Sequence, residues 1–328
     1  MAIAPSIRRF ALPVLKLVIL LVVIWGAHRT ISTSFDDLRQ NGWRLSDLNI
    51  PSAILAGLLY LFSQLPCGLY WHGVLSALGQ RVPLLRTLRA YYLGHLGKYV
   101  PGKAMVVVLR AGLIAQPHLN TPLAVASIFY ETFTTMAVGA ILALVILLIA
   151  HVHQPWLIVF AVGLTLLLGL PTFSPIFRRL LRLLPGAPPI SSADPSNQNA
   201  FHLSASFLLA ACTSIAAGWL FTGASLWATL RAIGCEEVNL ADLPIFTATV
   251  ALSVASGFVS MLPAGIGVRD IVLMQLLAPQ LEIVAPSQGQ RLALVAVIAL
   301  RLIWLASELL LAAVIYPLGR HAHRHVSK

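Results

Sequence analysis

Charge is what this sequence has least of. Only 10% of its 328 residues are Asp, Glu, Lys or Arg, against about 25% in soluble domains, while 58% are apolar and the mean hydropathy is +0.86. That scarcity excludes a soluble globular domain, and it excludes a disordered chain, which needs low hydrophobicity with high charge. Cysteine is sparse too. Cys67, Cys212 and Cys235 are far apart and form no CxxC pair, so neither a disulfide framework nor a zinc site is expected. Acidic residues number 11 against 22 basic ones, a net charge of +11. The basic residues fall mostly in short connections, where they act as topology signals beside anionic lipid headgroups rather than as a nucleic-acid surface.

What the chain has in abundance is apolar sequence, in runs at 10–27, 53–78, 122–149, 155–175, 204–230, 244–262 and 289–316. All read as helices, because a lipid-exposed backbone must satisfy its hydrogen bonds internally and the runs lack the two-residue alternation of barrel strands. The first run follows Arg8 and Arg9 and contains Lys16, which can snorkel to the inner face. A bulky Trp25 occupies the −3 position of the only plausible small-residue cleavage point, after Ala27, so a retained helix is expected rather than a signal peptide.

Arg8/Arg9, Arg81/Arg86/Arg89, Arg178/Arg179/Arg182 and Arg320/Arg324/Lys328 mark four cytoplasmic segments. Both termini then lie inside and the number of crossings is even, which requires the short stretch 266–284, interrupted by Pro279, to cross or half-cross. The expectation is a single all-α membrane domain over 1–328 with about eight membrane segments. A cytoplasmic Pro/Ser-rich linker at 185–200 separates a first half, 1–184, from a second half, 201–328.

Two polar interruptions carry the information. The first, within 91–110, is YYLGHLGKYVPGK running into AMVVVLR. Gly97, Pro101 and Gly102 break a helix and let backbone approach a ligand, and a helix starting near Gly102 would aim its N-terminal amides into the membrane. Lys103 and Arg110, seven apart, share one face of it. The rival reading is a basic amphipathic segment on the inner leaflet. The second, within 256–270, is SGFVSMLPAGIGVRD, where Pro263, Gly265 and Gly267 precede Arg269 and Asp270; its rival is an ordinary interhelical loop. Matching breaks in two halves point to a transporter binding site and suit an inverted repeat.

LGKYVPGK followed by Arg110, together with LPAGIGVRD, resembles the two signature stretches of the lysylphosphatidylglycerol synthase transmembrane-region family, also called the flippase-like domain family. The similarity covers nearly the whole chain, including Glu131 in the third run and Arg301 in the last. The resemblance implies an integral membrane unit. In bifunctional lipid-aminoacylating members that unit is associated with flipping aminoacyl-phosphatidylglycerol, and stand-alone members are linked with hopanoid, polyprenyl-glycan and other envelope lipids. Asp270 stands where the family often has Glu, and Thr132 where it often has Arg. No soluble synthase region follows within the sequence, so a stand-alone, transporter-like member is expected rather than an enzyme.

Glu131, Asp270, Arg301 and Glu308 are charges inside apolar runs, costing on the order of 2.5–3.5 kcal/mol each if left unpaired at mid-bilayer. Arg301 and Glu308 are too far apart for contact within their helix and should meet partners elsewhere, either as helix-packing ion pairs or at a functional site. Glu131 should pair with Arg110 or Arg269. His95 is either a phosphate contact or a structural histidine. The tail histidines 321, 323 and 325, the loop histidines 151 and 153, and the Asp36–Asp37 pair do not make a metal site, and no cofactor is expected.

The leading expectation is a flippase or translocation protein of the plasma (inner) membrane for an anionic or phosphate-bearing envelope lipid. It would work by alternating access, with Lys98, Lys103, Arg110 and Arg269 on phosphate and Glu131 as counter-charge. The alternatives are an integral-membrane transferase using a lipid-linked donor, and a non-catalytic partner of a glycosyltransferase or lipid synthase.

Overall fold

A computed structural model describes residues 48–100, 104–150, 154–173, 203–260 and 267–325, with the isolated positions 25, 28, 32, 176, 177 and 179; from 318 onward it describes backbone only. The first apolar run, Asp36 and Asp37, His151 and His153, the 185–200 linker, and the tail histidine side chains lie outside the described residues.

Every regular element among the described residues is helical: α1 (Ile50–Ser63), α2 (Leu65–Ala77), α3 (Leu84–His95), α4 (Ala104–Ile114), α5 (Thr121–Ile149), α6 (Pro155–Gly169), α7 (Ala205–Ala232), α8 (Leu243–Val259), α9 (Val268–Val284) and α10 (Gly289–His325), with short 3₁₀ turns between some of them. Six helical stretches among the described residues are long and apolar enough to cross a membrane. Their starts are set by side-chain caps and by prolines whose missing N–H costs nothing in a first turn. Asn49 accepts from the Ser52 amide ahead of α1, Asn120 from Leu123 ahead of α5, and Ser204 from Phe207 ahead of α7. α1 and α2 form one long span with an irregularity at Gln64, just before Pro66.

Two sets of contacts identify the ends of the bundle. At one end, Arg86 donates to the carbonyls of Leu113 (3.1 Å) and Ala115 (2.9 Å), the Asn120 amide donates to Gln80, and Arg89 donates to the carbonyls of Ile315 and Tyr316 late in α10. At the other, the Asn49 amide bonds the Ala232 carbonyl at the end of α7. α3 therefore enters from the Arg86 end and α4 returns to it, a helical hairpin whose tip holds the first Gly/Pro motif.

The second motif is built the same way from the opposite end. α8 starts beside the end of α7, and α9 turns into α10 through a tight connection in which Glu282 accepts from the amides of Ser287 and Gly289. Since α10 finishes at the Arg86 end, residue 289 lies at the Asn49 end. Asp270, at the start of α9, meets Arg301, about 18 Å along α10 at 1.5 Å per residue. The α8–α9 hairpin thus dips to mid-depth and returns.

This corrects two expectations. The run 244–262 does not cross alone: α8 descends part-way, and the half-crossing expected of 266–284 is the other arm of the same hairpin. Pro279 does not interrupt that arm either, because α9 runs through it as a helix, as membrane helices allow when neighbours re-satisfy the freed carbonyl.

The cysteines of the described chain are free. Cys235 lies in the connection after α7, where burial and then the charge of Glu237 push its thiol up to about 11, leaving it protonated and unreactive.

Candidate functional site

The arms of the first hairpin touch backbone to backbone. A Cβ on Gly97 would sit 2.7 Å from the Val106 nitrogen, and one on Gly94 would run into the Arg110 side chain. Only glycine allows that approach, and it brings Arg110 into the core of the bundle. There its Nη1 donates to Glu131 Oε2 at 2.7 Å, with the two side chains only 3% and 2% exposed. Glu131 also accepts from Thr135 (3.1 Å), Thr132 (3.2 Å) and Tyr91 (3.4 Å). The guanidinium lies over Tyr91 at 4.0 Å and near Trp71 at 5.5 Å. Its Nη2 faces His95 Nδ1 at 3.2 Å. The same nitrogen lies 3.3 Å from the Tyr91 carbonyl oxygen; the arginine contact needs it bare and the carbonyl contact needs it protonated. A buried pair survives only when such additional bonds offset desolvation.

A second cluster fastens the hairpin tip to α10. Lys98 Nζ reaches Glu308 Oε1 at 2.5 Å and Tyr60 Oη at 3.0 Å, and Tyr60 also donates to Glu308. Tyr60 stacks on Trp304 at 4.3 Å. Over the same indole, at 4.5 Å, lies the guanidinium of Arg269. Glu308 Oε2 is buried without a hydrogen-bond partner.

The third pair, Arg301 with Asp270, closes the second hairpin, and Asp270 also accepts from the Gly267 amide at 3.2 Å. Gly267 has φ +88°, a left-handed conformation that a side chain would strain. Lys98, Arg110 and Arg301 each have a carboxylate partner. Among the described residues Arg269 has none, and its Nε is buried with no hydrogen-bond partner.

These groups meet around one cavity of about 560 Å³ between the two hairpin tips, lined by Lys98, Arg110, Glu131, Arg269, His95 and Trp304 among others. Its remaining walls are largely apolar, from α4, α5, α6, α7 and α8. Four residues singled out from sequence, Lys98, Arg110, Glu131 and Arg269, therefore share one space. Asp270, Arg301 and Glu308 support it from behind. Gly97 and Gly267 shape the hairpins, while Pro101, Gly102, Lys103, Pro263 and Gly265 lie outside the described residues. Sequence reasoning missed Tyr60, Trp71 and Trp304, the aromatic faces on which the cations rest. The available signal was Trp304 itself, one turn beyond Arg301 on an otherwise aliphatic helix.

A search among curated proteins finds no match. A family model described as "Lysylphosphatidylglycerol synthase TM region" matches residues 14–305, nearly the whole helical bundle and both hairpins. The protein is a multi-pass membrane protein of lipid metabolism or translocation, and it belongs to the lysylphosphatidylglycerol synthase transmembrane-region family.

Proposed function

We propose that the protein translocates an anionic, phosphate-bearing envelope lipid across the plasma membrane, the headgroup passing through the cavity between the two hairpins. The observation that carries this reading is Arg269: a partly buried guanidinium on the cavity wall, without a carboxylate among the described residues, in a site where Lys98 and Arg110 are already paired. An uncompensated charge in a low-dielectric site is costly unless a ligand of opposite sign occupies it. A phosphate supplies that sign and accepts two parallel N–H bonds from a guanidinium.

The hairpins enter from opposite ends, which suits alternating access with the binding site at the midplane. In this mechanism Lys98, Lys103 and Arg110 follow Arg269 as phosphate contacts. Lys98 and Arg110 each exchange a bond to the protein for one to the headgroup as the tips move, and Glu131 and Glu308 reclaim Arg110 and Lys98 on release. The arginine-rich end faces the cytoplasm.

Lipidomics with leaflet-specific labelling in a deletion strain tests the proposal. Accumulation of one anionic lipid in the inner leaflet, reversed by the wild-type gene, is the expected result. An unchanged distribution of every anionic lipid would overturn it.

A further inference from the structure

The cavity is not sealed from the side of the bundle. Three of its lining residues, Phe129 on α5, Leu167 on α6 and Val259 at the end of α8, are 43%, 55% and 37% exposed, whereas Arg110 and Glu131 on the inner wall are almost fully covered. The lining also holds Phe133 and Phe258, which meet edge to face at 5.7 Å, and the apolar Leu168 and Pro171. All these residues belong to helices long and apolar enough to span a membrane, so the rim faces acyl chains and not water. The space is polar and cationic at one end and apolar and open at the other.

Resting on the lipid reading above, we propose that this opening is a lateral mouth through which the ligand enters sideways from the bilayer. Its phosphodiester seats on Arg269, and its acyl chains stay outside, across Phe129, Leu167 and Val259. The occupant is an amphiphile with one phosphodiester. Charge complementarity selects it: of the three Lys and Arg residues that line the cavity, Lys98 and Arg110 are held in ion pairs and Arg269 has no carboxylate among the described residues. The same anion chemistry would be offered by a water-soluble phosphodiester, and the mouth is what separates the two. A free headgroup has no chain to place against three exposed apolar side chains and no route to the site through lipid.

The test uses the purified full chain in detergent, with binding read by native mass spectrometry. Its probes are dioleoylphosphatidylglycerol, its deacylated water-soluble diester, and dioleoylglycerol. Wild type should bind the phospholipid at least 100-fold more tightly than either of the others. Leu167→Trp and Val259→Trp, which narrow the mouth, should weaken phospholipid binding about tenfold. Leu166→Trp, at an exposed neighbour outside the cavity, should leave it unchanged. Equal binding of phospholipid and deacylated diester, or mouth variants that bind like wild type, would overturn the lateral mouth. Failure of the lipid reading looks different: Arg269→Gln would then bind phospholipid as wild type does, whatever the mouth variants do.

Discussion

Lys98 and Glu308 lie 210 positions apart in sequence and 2.5 Å apart in space, and their contact ties the tip of the first hairpin to the last helix. Glu308 therefore competes with any incoming phosphate for the lysine. Glu308→Gln should remove that competitor and raise affinity for anionic lipid about tenfold, equivalent to about 1.4 kcal/mol, while slowing release. Native mass spectrometry gives the affinity and a dilution chase the off-rate. Weaker binding in this variant would assign the pair to helix fastening alone.

Arg110 and Glu131 form the most buried ion pair among the described residues. Breaking such a pair from one side costs about 3–5 kcal/mol, because the survivor is left charged and unpaired, whereas replacing both partners costs much less. Arg110→Met should lower the thermal unfolding temperature markedly, and Arg110→Met with Glu131→Gln should recover most of the loss. Additive effects of the two changes would contradict the pairing.

Gly97 and Gly112 make a matched comparison within one hairpin. A Cβ at Gly97 would meet backbone at 2.7 Å, while at Gly112 nothing lies within 4 Å. Gly97→Ala should destabilise by about 1–3 kcal/mol through overpacking. Gly112→Ala should be neutral or stabilising by up to about 1 kcal/mol from helix propensity. Unfolding curves in detergent read both, and equal effects would mean the hairpin arms are not in contact at Gly97.

The depth of these elements was only partly legible in the sequence. Gly97, Pro101 and Gly102 announced a break because they do so wherever they fall, and an intramembrane Glu131 announced a cation partner because lipid offers it no other. The run 244–262 looked like a crossing since its length and apolarity match those of helices that do cross. Its half-depth follows from Asp270 meeting Arg301, a contact only tertiary structure creates. For the same reason Lys98 reads as a free phosphate ligand, although Glu308 holds it, whereas the sequence offers Arg110 and Arg269 to Glu131 and the structure pairs it with Arg110. Arg269 differs from both in having no carboxylate among the described residues, which no local pattern records.

The opposed hairpins also carry a topology. On a background lacking the natural cysteines, a cysteine at exposed Leu240, near the start of α8, should react with an impermeant reagent in intact cells. One at exposed Leu85, at the start of α3, should react only after permeabilisation. The reverse pattern would invert the bundle, and equal labelling would deny that the hairpins enter from opposite sides.

In the proposed mechanism anionic lipid crosses through the cavity on Arg269. The most direct measurement is the rate at which labelled phosphatidylglycerol in proteoliposomes becomes accessible to a membrane-impermeant quencher. It is made for wild type, Arg269→Lys and Arg269→Gln at matched reconstitution. Transfer should be rapid in wild type, partial in the lysine variant, which keeps the charge but loses the two-pronged contact, and slower by at least tenfold in the glutamine variant. Transfer by Arg269→Gln at the wild-type rate would contradict that mechanism.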